Sequence, residues 1–387
     1  MIINPNEYGS LFYDDKEKEY VNNVITQRRI FRYSKCQFPY TSMCEEQIKN
    51  LVDMNYCLMT TNGTSGLKAA LIGAGVQAND RVIISSYTFL ATALAVISLG
   101  AIPIPIDIDI NHGLNLNQLK EEIKKGCKAI IAVHFQGRTF DLAKVCEIAD
   151  NNNIVLIEDA CQAFASKHHN KHAGTFGKIG VYSFQQYKQI SCGEGGCVVT
   201  NDINLFNKMR NYTDMGSVRE RFPSWNSSEA LFGENYRMNN LNAAVLYAQL
   251  EKLDNLLLKQ KESRINIMKL IESENINCIL NSNDPSGDTS MNIVFLLNNP
   301  IEKDRVISMA KDKNIELRNM WSSLYYDNDL FVRNNLNSLA LREKECTYTK
   351  ELIDRMLVVS IPPCLTNLDE KTIAEFIIDL KNKKIIE

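Results

Sequence analysis

The sequence predicts an α/β protein, with a mostly parallel sheet in a large domain and a smaller α+β domain after it. Three observations predict this. Short apolar runs alternate with helix-length stretches from Tyr56 to Glu158, the pattern of repeated βα units. A long helical pattern from Asn242 to about Ser273 then leads into a tail of shorter mixed elements. Finally, 387 residues are too many for one ordinary core. The expected division is residues 1-250 and residues 251-387.

Composition narrows the class. Hydrophobic residues at 45% and charged residues at 23% are ordinary for a globular chain. A net charge of −3 gives no electrostatic footprint for nucleic acid or anionic lipid. The 11 cysteines are scattered from Cys36 to Cys364 without C-x-x-C spacing, so they do not form a disulfide scaffold. The start, Met1-Ile-Ile-Asn-Pro-Asn-Glu7, lacks the basic and apolar regions of a signal peptide. The expected location is cytoplasmic, with no membrane partner. Val82 to Ile106 carries no charge, yet Ser85 to Thr88 and Gly100 to Pro105 divide it into strand, loop, helix and strand.

The first helix is expected from Glu17, followed by an irregular arm from Arg28 to Tyr33. A second helix covers Glu45 to Val52, and Tyr56 to Thr60 is a strand. Further strands follow at Arg81 to Ser85, Ile102 to Ile106, Ala129 to His134 and Ile154 to Glu158. Helices alternate with them at Phe89 to Leu99, Leu116 to Lys125 and Leu142 to Asn151. Ile179 to Phe184 and Cys197 to Thr200 read as two strands around a tight glycine turn. A helix from Asp202 to Met215 precedes a polar loop from Gly216 to Gly233. The tail holds strands at Met291 to Leu297 and near Glu316 to Arg318. Its helices are expected at Glu302 to Lys313, Lys344 to Leu352 and Glu370 to Lys381.

Ligands of such sheets bind at the carboxyl ends of the strands, and the chemistry-bearing residues fall there. Gly63, Thr64 and Ser65 open a helix after a strand, where unpaired N–H groups, the helix dipole and hydroxyls suit a phosphate. A plain N-capped helix has the same appearance. Asp159 follows an apolar strand, where it serves equally as a helix cap or as the partner of a ring N–H. Gln162 stands one helical turn on. Phe89 starts a helix and suits either a core or a stacking role. Lys188 sits between a strand-like run and Gly193-Glu-Gly-Gly196, where it reads equally as a surface lysine beside a hairpin or as an amine held firmly enough to form a Schiff base with an aldehyde. His168-His169-x-x-His172 lies in a polar hairpin-like run with no cysteine or carboxylate pattern, which speaks against a metal. No G-x-G-x-x-G follows a strand convincingly, which speaks against a dinucleotide.

Together these pieces resemble the DegT/DnrJ/StrS sugar aminotransferases, fold-type I pyridoxal phosphate enzymes. The resemblance rests on Asn62-Gly-Thr-Ser65, Tyr87-Thr-Phe-Leu-Ala-Thr92, Val133-His-Phe-Gln-Gly137 and Glu158-Asp-Ala-Cys-Gln-Ala163. It continues through Gly174-Thr-Phe-Gly177, Ser183-Phe-x-x-x-Lys188, Gly193-Glu-Gly-Gly196 and Asn235-Tyr-Arg-Met238, all in order. It implies an aspartate aminotransferase-like large domain that binds pyridoxal 5'-phosphate, which passes through the pyridoxamine phosphate form. It makes Lys188 the Schiff-base lysine and Asp159 the partner of the pyridine nitrogen. Gln162 would contact the ring hydroxyl, and Phe89 would stack on the ring. Gly63, Thr64, Ser65 and Ser183 would hold the phosphate. Asn235 resembles an asparagine that crosses a homodimer interface to the neighbour's phosphate.

The implied reaction moves an amino group from glutamate or glutamine to a keto-sugar. Gln185-Gln186 resembles members acting on cyclitols, whereas Leu11-Phe12 to Arg32-Tyr33 resembles members acting on other keto-sugars. Lys188 speaks against the branch that carries histidine there and deoxygenates its substrate. A Pro-Leu-His-type segment near the substrate in relatives appears here as Ser322-Ser-Leu-Tyr-Tyr326, without the histidine. Dehydration or epimerisation of a keto-sugar is the rival activity, and a cofactor-binding regulator is the rival class.

Overall fold

A computed structural model describes residues 8–219, 223–321, 323–336 and 345–387 of the chain. Met1 to Glu7, part of the expected polar loop, Ser322 and the expected helix start Lys344 lie outside those residues. The main sheet has seven strands: β1 (Tyr56–Thr60), β2 (Arg81–Ser85), β3 (Ile102–Ile106), β4 (Ala129–Val133), β5 (Val155–Asp159), β6 (Ile179–Ser183) and β7 (Gly196–Thr200). Their order is β1-β7-β6-β5-β4-β2-β3. The pairs from β3 through β2, β4 and β5 to β6 are parallel. Strand β7 runs against both of its neighbours, β1 and β6.

Helices cover both faces, as buried parallel strands require. They are α1 (Asp15–Gln27), α2 (Tyr40–Val52), α3 (Gly63–Gly73), α4 (Leu90–Ile97), α5 (Leu116–Lys124), α6 (Ala143–Asn151), α7 (Ile203–Thr213), α8 (Asn240–Leu250) and α9 (Leu253–Ile271). Successive strand residues part to opposite layers. Ile131, Ile157 and Val181 pack with Leu67 and Ala70 of α3, Val96 of α4 and Met209 of α7. Ile130 and Leu156 face Leu119 of α5 and Val145 of α6. Met59 and Tyr182 face Ile48 of α2 and Leu246 of α8.

A second, antiparallel sheet follows: β8 (Ile279–Leu280), β9 (Asn292–Leu296), β10 (Leu317–Arg318) and β11 (Met356–Ser360), in the order β8-β9-β11-β10. It packs Phe295 and Leu357 against Ile267 of α9 and Phe376 of the terminal helix Asn367–Asn382.

Three expectations change. The single helix from Asn242 to Ser273 is two helices, α8 and α9. At their joint Lys252 Nζ pairs with Glu17 at 2.7 Å and Asp14 at 2.8 Å, and donates to the Phe12 carbonyl at 2.9 Å. That tether draws the joint onto the N-terminal segment, while the apolar period runs on through both helices. Asp159 is the last residue of β5 rather than the residue after it. The connection between β6 and β7 is an internally bonded loop, not a tight turn: Phe184 N–H donates to Gly195 and Gln186 N–H to Gly193. Val82 to Ile106 forms β2, α4 and β3, and no described helix is long and apolar enough to cross a membrane. The histidine run forms a small hairpin, Lys167–His168 with Lys171–His172.

Candidate active site

The turn from β1 into α3 is built by a capping box. Asn62 accepts from the Ser65 N–H at 2.8 Å, and Ser65 Oγ returns to the Asn62 N–H at 3.2 Å. Ser65 also donates to the Asn62 carbonyl at 2.8 Å and meets Thr61 Oγ1 at 3.0 Å. Its side chain is therefore occupied in the cap. The N–H groups of Gly63 and Thr64, in the first turn, have no acceptor within a helix and stand at its positive end. A Cβ on Gly63 would lie 2.8 Å from Cys161 Sγ and 3.0 Å from Ser183 Cβ. The helix start, the exit of β5 and the end of β6 thus meet in one cradle. Gly196 lets β7 press against the turn, since a Cβ there would lie 2.4 Å from the Asn62 carbonyl carbon.

Asp159 lies buried beside this cradle. Thr92 Oγ1 donates to its Oδ2 at 2.8 Å, and the Cys161 N–H donates to its Oδ1 at 3.2 Å. Thr88 and Thr92 hydroxyls meet at 2.8 Å. An ionised carboxylate only accepts, so Thr92 must donate to it and accept from Thr88. Behind it, Glu158 holds three donors: His134 Nε2 at 2.9 Å, Gly174 N–H at 2.8 Å and Gly177 N–H at 2.6 Å. The His134 backbone N–H donates to the Asp159 carbonyl at 3.0 Å.

Lys188 is half-buried in the loop between β6 and β7. Its N–H donates to the Gln185 carbonyl at 2.9 Å, and its carbonyl accepts from the Gly9 N–H at 3.4 Å. The Cys161 thiol lies at the cradle, where a Cβ on Gly63 would meet it. Burial pushes that thiol well above its ordinary value, Asp159 raises it further, and the Lys188 amine opposes them.

The other candidates are placed as follows. Phe89 is 56% exposed, outside the core, with its ring 6.4 Å from Trp321. Trp321 also packs edge-on against Tyr87 at 4.9 Å. The Tyr325 N–H donates to the Ser86 carbonyl at 3.4 Å, so the Leu324 to Tyr326 segment lies at the end of β2. Gln162 Oε1 accepts from Gln136 at 2.9 Å. Asn235 is exposed and bridges Asp214 through its backbone. The carbonyl of the next residue, Tyr236, accepts from the Thr61 N–H at 3.0 Å beside the α3 turn. Among the described residues, no hydrogen bond ties the Asn235 side chain to the other candidates.

Comparison with known proteins gives these groups a context. The family model described as the DegT/DnrJ/EryC1/StrS aminotransferase family matches residues 13–378. The chain belongs to that family. It is a pyridoxal phosphate-dependent aminotransferase. GDP-perosamine synthase of Escherichia coli O157:H7 is 32% identical over 307 residues, covering 78% of this chain and 81% of that protein. The L-glutamine:2-deoxy-scyllo-inosose aminotransferase of Streptomyces kanamyceticus is 34% identical over 206 residues, covering 51% of this chain and 48% of that one. The X-ray structure of the aminotransferase from Psychrobacter cryohalolentis superposes with a TM-score of 0.85 at 23% identity. It covers 96% of this chain and 98% of its own, which establishes the fold.

The aminotransferase's residues fit the cofactor on their own geometry. A helix N-terminus too tight for a side chain at Gly63 suits an anion, and Asp159 is an oriented acceptor for a ring N–H. Reading the sequence alone missed Thr92 and Gly9. Thr92 had a signal, since it stands one helical turn after Thr88 on the face behind the strand ends. Gly9 had none, because its contact with Lys188 exists only once the chain has folded back.

Proposed function

We propose that the enzyme takes an amino group from glutamate or glutamine and delivers it to the ketone of a sugar, in amino-sugar biosynthesis. The observation that carries this reading is the cradle in which the Gly63 turn meets Cys161 and Ser183, with the twice-hydrogen-bonded Asp159 two residues before Cys161 and Lys188 in the loop that follows Ser183. When bound, the cofactor supplies an aldehyde that takes up the amino group and a ring that withdraws electrons. Gly63, Thr64 and Ser183 hold its phosphate, with Ser65 fixing the turn that presents them. Asp159 accepts the pyridinium N–H, kept in orientation by Thr92 and the Cys161 N–H. Phe89 stacks on the ring, and Gln162 donates to its hydroxyl oxygen. Lys188 anchors the cofactor covalently, and its Nζ, once free, lifts the proton from the donor's α-carbon. Its 11 cysteines are all free thiols, which supports a reducing, cytoplasmic setting.

The active site is further proposed to need a homodimer, in which Asn235 reaches the partner's phosphate. Exposed apolar side chains surround the Asn235 segment and the N-terminal arm: Ile30, Phe31, Tyr33, Trp225 and Phe232, the last fully exposed. A cyclitol acceptor is the second reading, favoured by the Streptomyces kanamyceticus relative and by Gln185-Gln186 beside the lysine.

Lys188→Ala is expected to abolish turnover and the visible absorbance of lysine-bound cofactor. A fully active variant would sink the assignment. Presenting the aminated enzyme with keto-sugars and keto-cyclitols, and following which restores that absorbance, identifies the acceptor class.

A further inference from the structure

A chain of side-chain hydrogen bonds runs from the second sheet to Gln162. Arg318 of β10 donates to Ser360 Oγ at 2.6 Å and to Asn292 Oδ1 at 3.4 Å. Tyr8 donates to the same Asn292 oxygen at 3.0 Å. Asn292 Nδ2 then donates to Gln136 Oε1 at 2.7 Å, and Gln136 Nε2 donates to Gln162 Oε1 at 2.9 Å. Tyr8, Asn292 and Gln136 are all buried, so water does not compete for these groups.

The polarity of this chain follows from its root. A guanidinium has five N–H donors and no acceptor. Asn292 must therefore turn its oxygen to Arg318 and its nitrogen to Gln136. Gln136 must in turn offer its oxygen to Asn292 and its nitrogen to Gln162. The Gln162 oxygen is thereby taken, and its NH₂ is the end left to donate onward. An amide's two ends are distinguished by their partners alone, so each choice forces the next.

We propose that Gln136 and Asn292 are positioning residues that fix the Gln162 amide so that it presents N–H, not C=O, to the ring oxygen of the cofactor. The proposal rests on Gln162 facing that oxygen, as read above. It makes the second sheet a determinant of cofactor polarity without touching the cofactor.

The test compares Gln136→Glu, Gln136→Met and Gln162→Leu, reading the dissociation constant of pyridoxal phosphate by fluorescence titration. Gln136 has a positive φ of 52°, so its Glu and Met variants carry the same backbone demand. In Gln136→Glu the ionised carboxylate accepts from Asn292 and also demands a donor from Gln162, which turns the Gln162 oxygen toward the ring. Binding is expected to weaken about tenfold or more relative to wild type. The thioether of Gln136→Met demands nothing of Gln162, and this variant is expected to stay within about threefold. At acid pH the protonated carboxyl of Gln136→Glu donates again, and the deficit relative to wild type at the same pH should shrink. Equal affinities for the Glu and Met variants, with Gln162→Leu weakened, overturn the relay and leave the Gln162 contact standing. Unweakened binding by Gln162→Leu overturns the contact itself.

Discussion

Asp159 accepts from the Thr92 hydroxyl on one oxygen and from the Cys161 N–H on the other. Thr92→Val keeps the shape and removes that hydroxyl, leaving the buried carboxylate a donor short at a cost of about 1–3 kcal/mol. Thr92→Ser should hold stability near wild type, and urea unfolding of the two variants compares them. Glu158 carries a heavier load, since Gly174, Gly177 and His134 all depend on it. Glu158→Ala leaves the buried Gly174 and His134 donors unpaired and is expected to cost at least about 1–3 kcal/mol in the same measurement. A loss below about 1 kcal/mol would mean that the strand end does not need this carboxylate. Residue type and local spacing made Gly63, Asp159 and Lys188 visible in the sequence. The partners that aim them were not, because Thr92 lies 67 positions from Asp159 in the chain.

At the scale of elements, the Asn235 segment is clamped to the start of α3. Glu234 accepts from Lys68 Nζ at 2.5 Å and from Tyr212 at 2.6 Å, and Tyr236 also donates to it. Burial pulls the Glu234 carboxyl upward, but the Lys68, Tyr212 and Tyr236 donors outweigh it and bring it to about 2. A carboxyl depressed on folding contributes stability above its unfolded value of about 4.3, lost as pH falls toward its folded value. The clamp should therefore be intact at neutral pH and fail between about pH 4 and pH 2. The gap in urea midpoint between wild type and Glu234→Gln should close over that window; a gap that stays constant contradicts the assignment. The strands β2 and β3 were legible to the residue, because each is an apolar run between turn residues. Strand β11 was not, because Met356 follows the helix Thr347–Arg355 with no punctuating residue between them. The α8–α9 joint escaped for a related reason: Lys252 and its partners Asp14 and Glu17 are far apart in sequence.

At the scale of the whole molecule, a shared site predicts complementation. Lys188→Ala and Asn235→Ala are each expected to be impaired. Mixed and reassorted, they should regain roughly a quarter of wild-type activity, because half the dimers then hold one intact site in two. Activity no higher than the sum of the separate variants would place Asn235 in its own chain's site. The carboxyl ends of β5 and β6 bring Asp159 and the Lys188 loop to the cradle, and the second sheet reaches Gln162 through Asn292 and Arg318. The claim on which everything else depends is that Lys188 is the covalent anchor. Borohydride reduction of the holoenzyme, followed by peptide mass spectrometry, tests it most directly. A pyridoxyl mass is expected on the peptide carrying Lys188 and on no other. The same mass on a different lysine, with Lys188 unmodified, would contradict it.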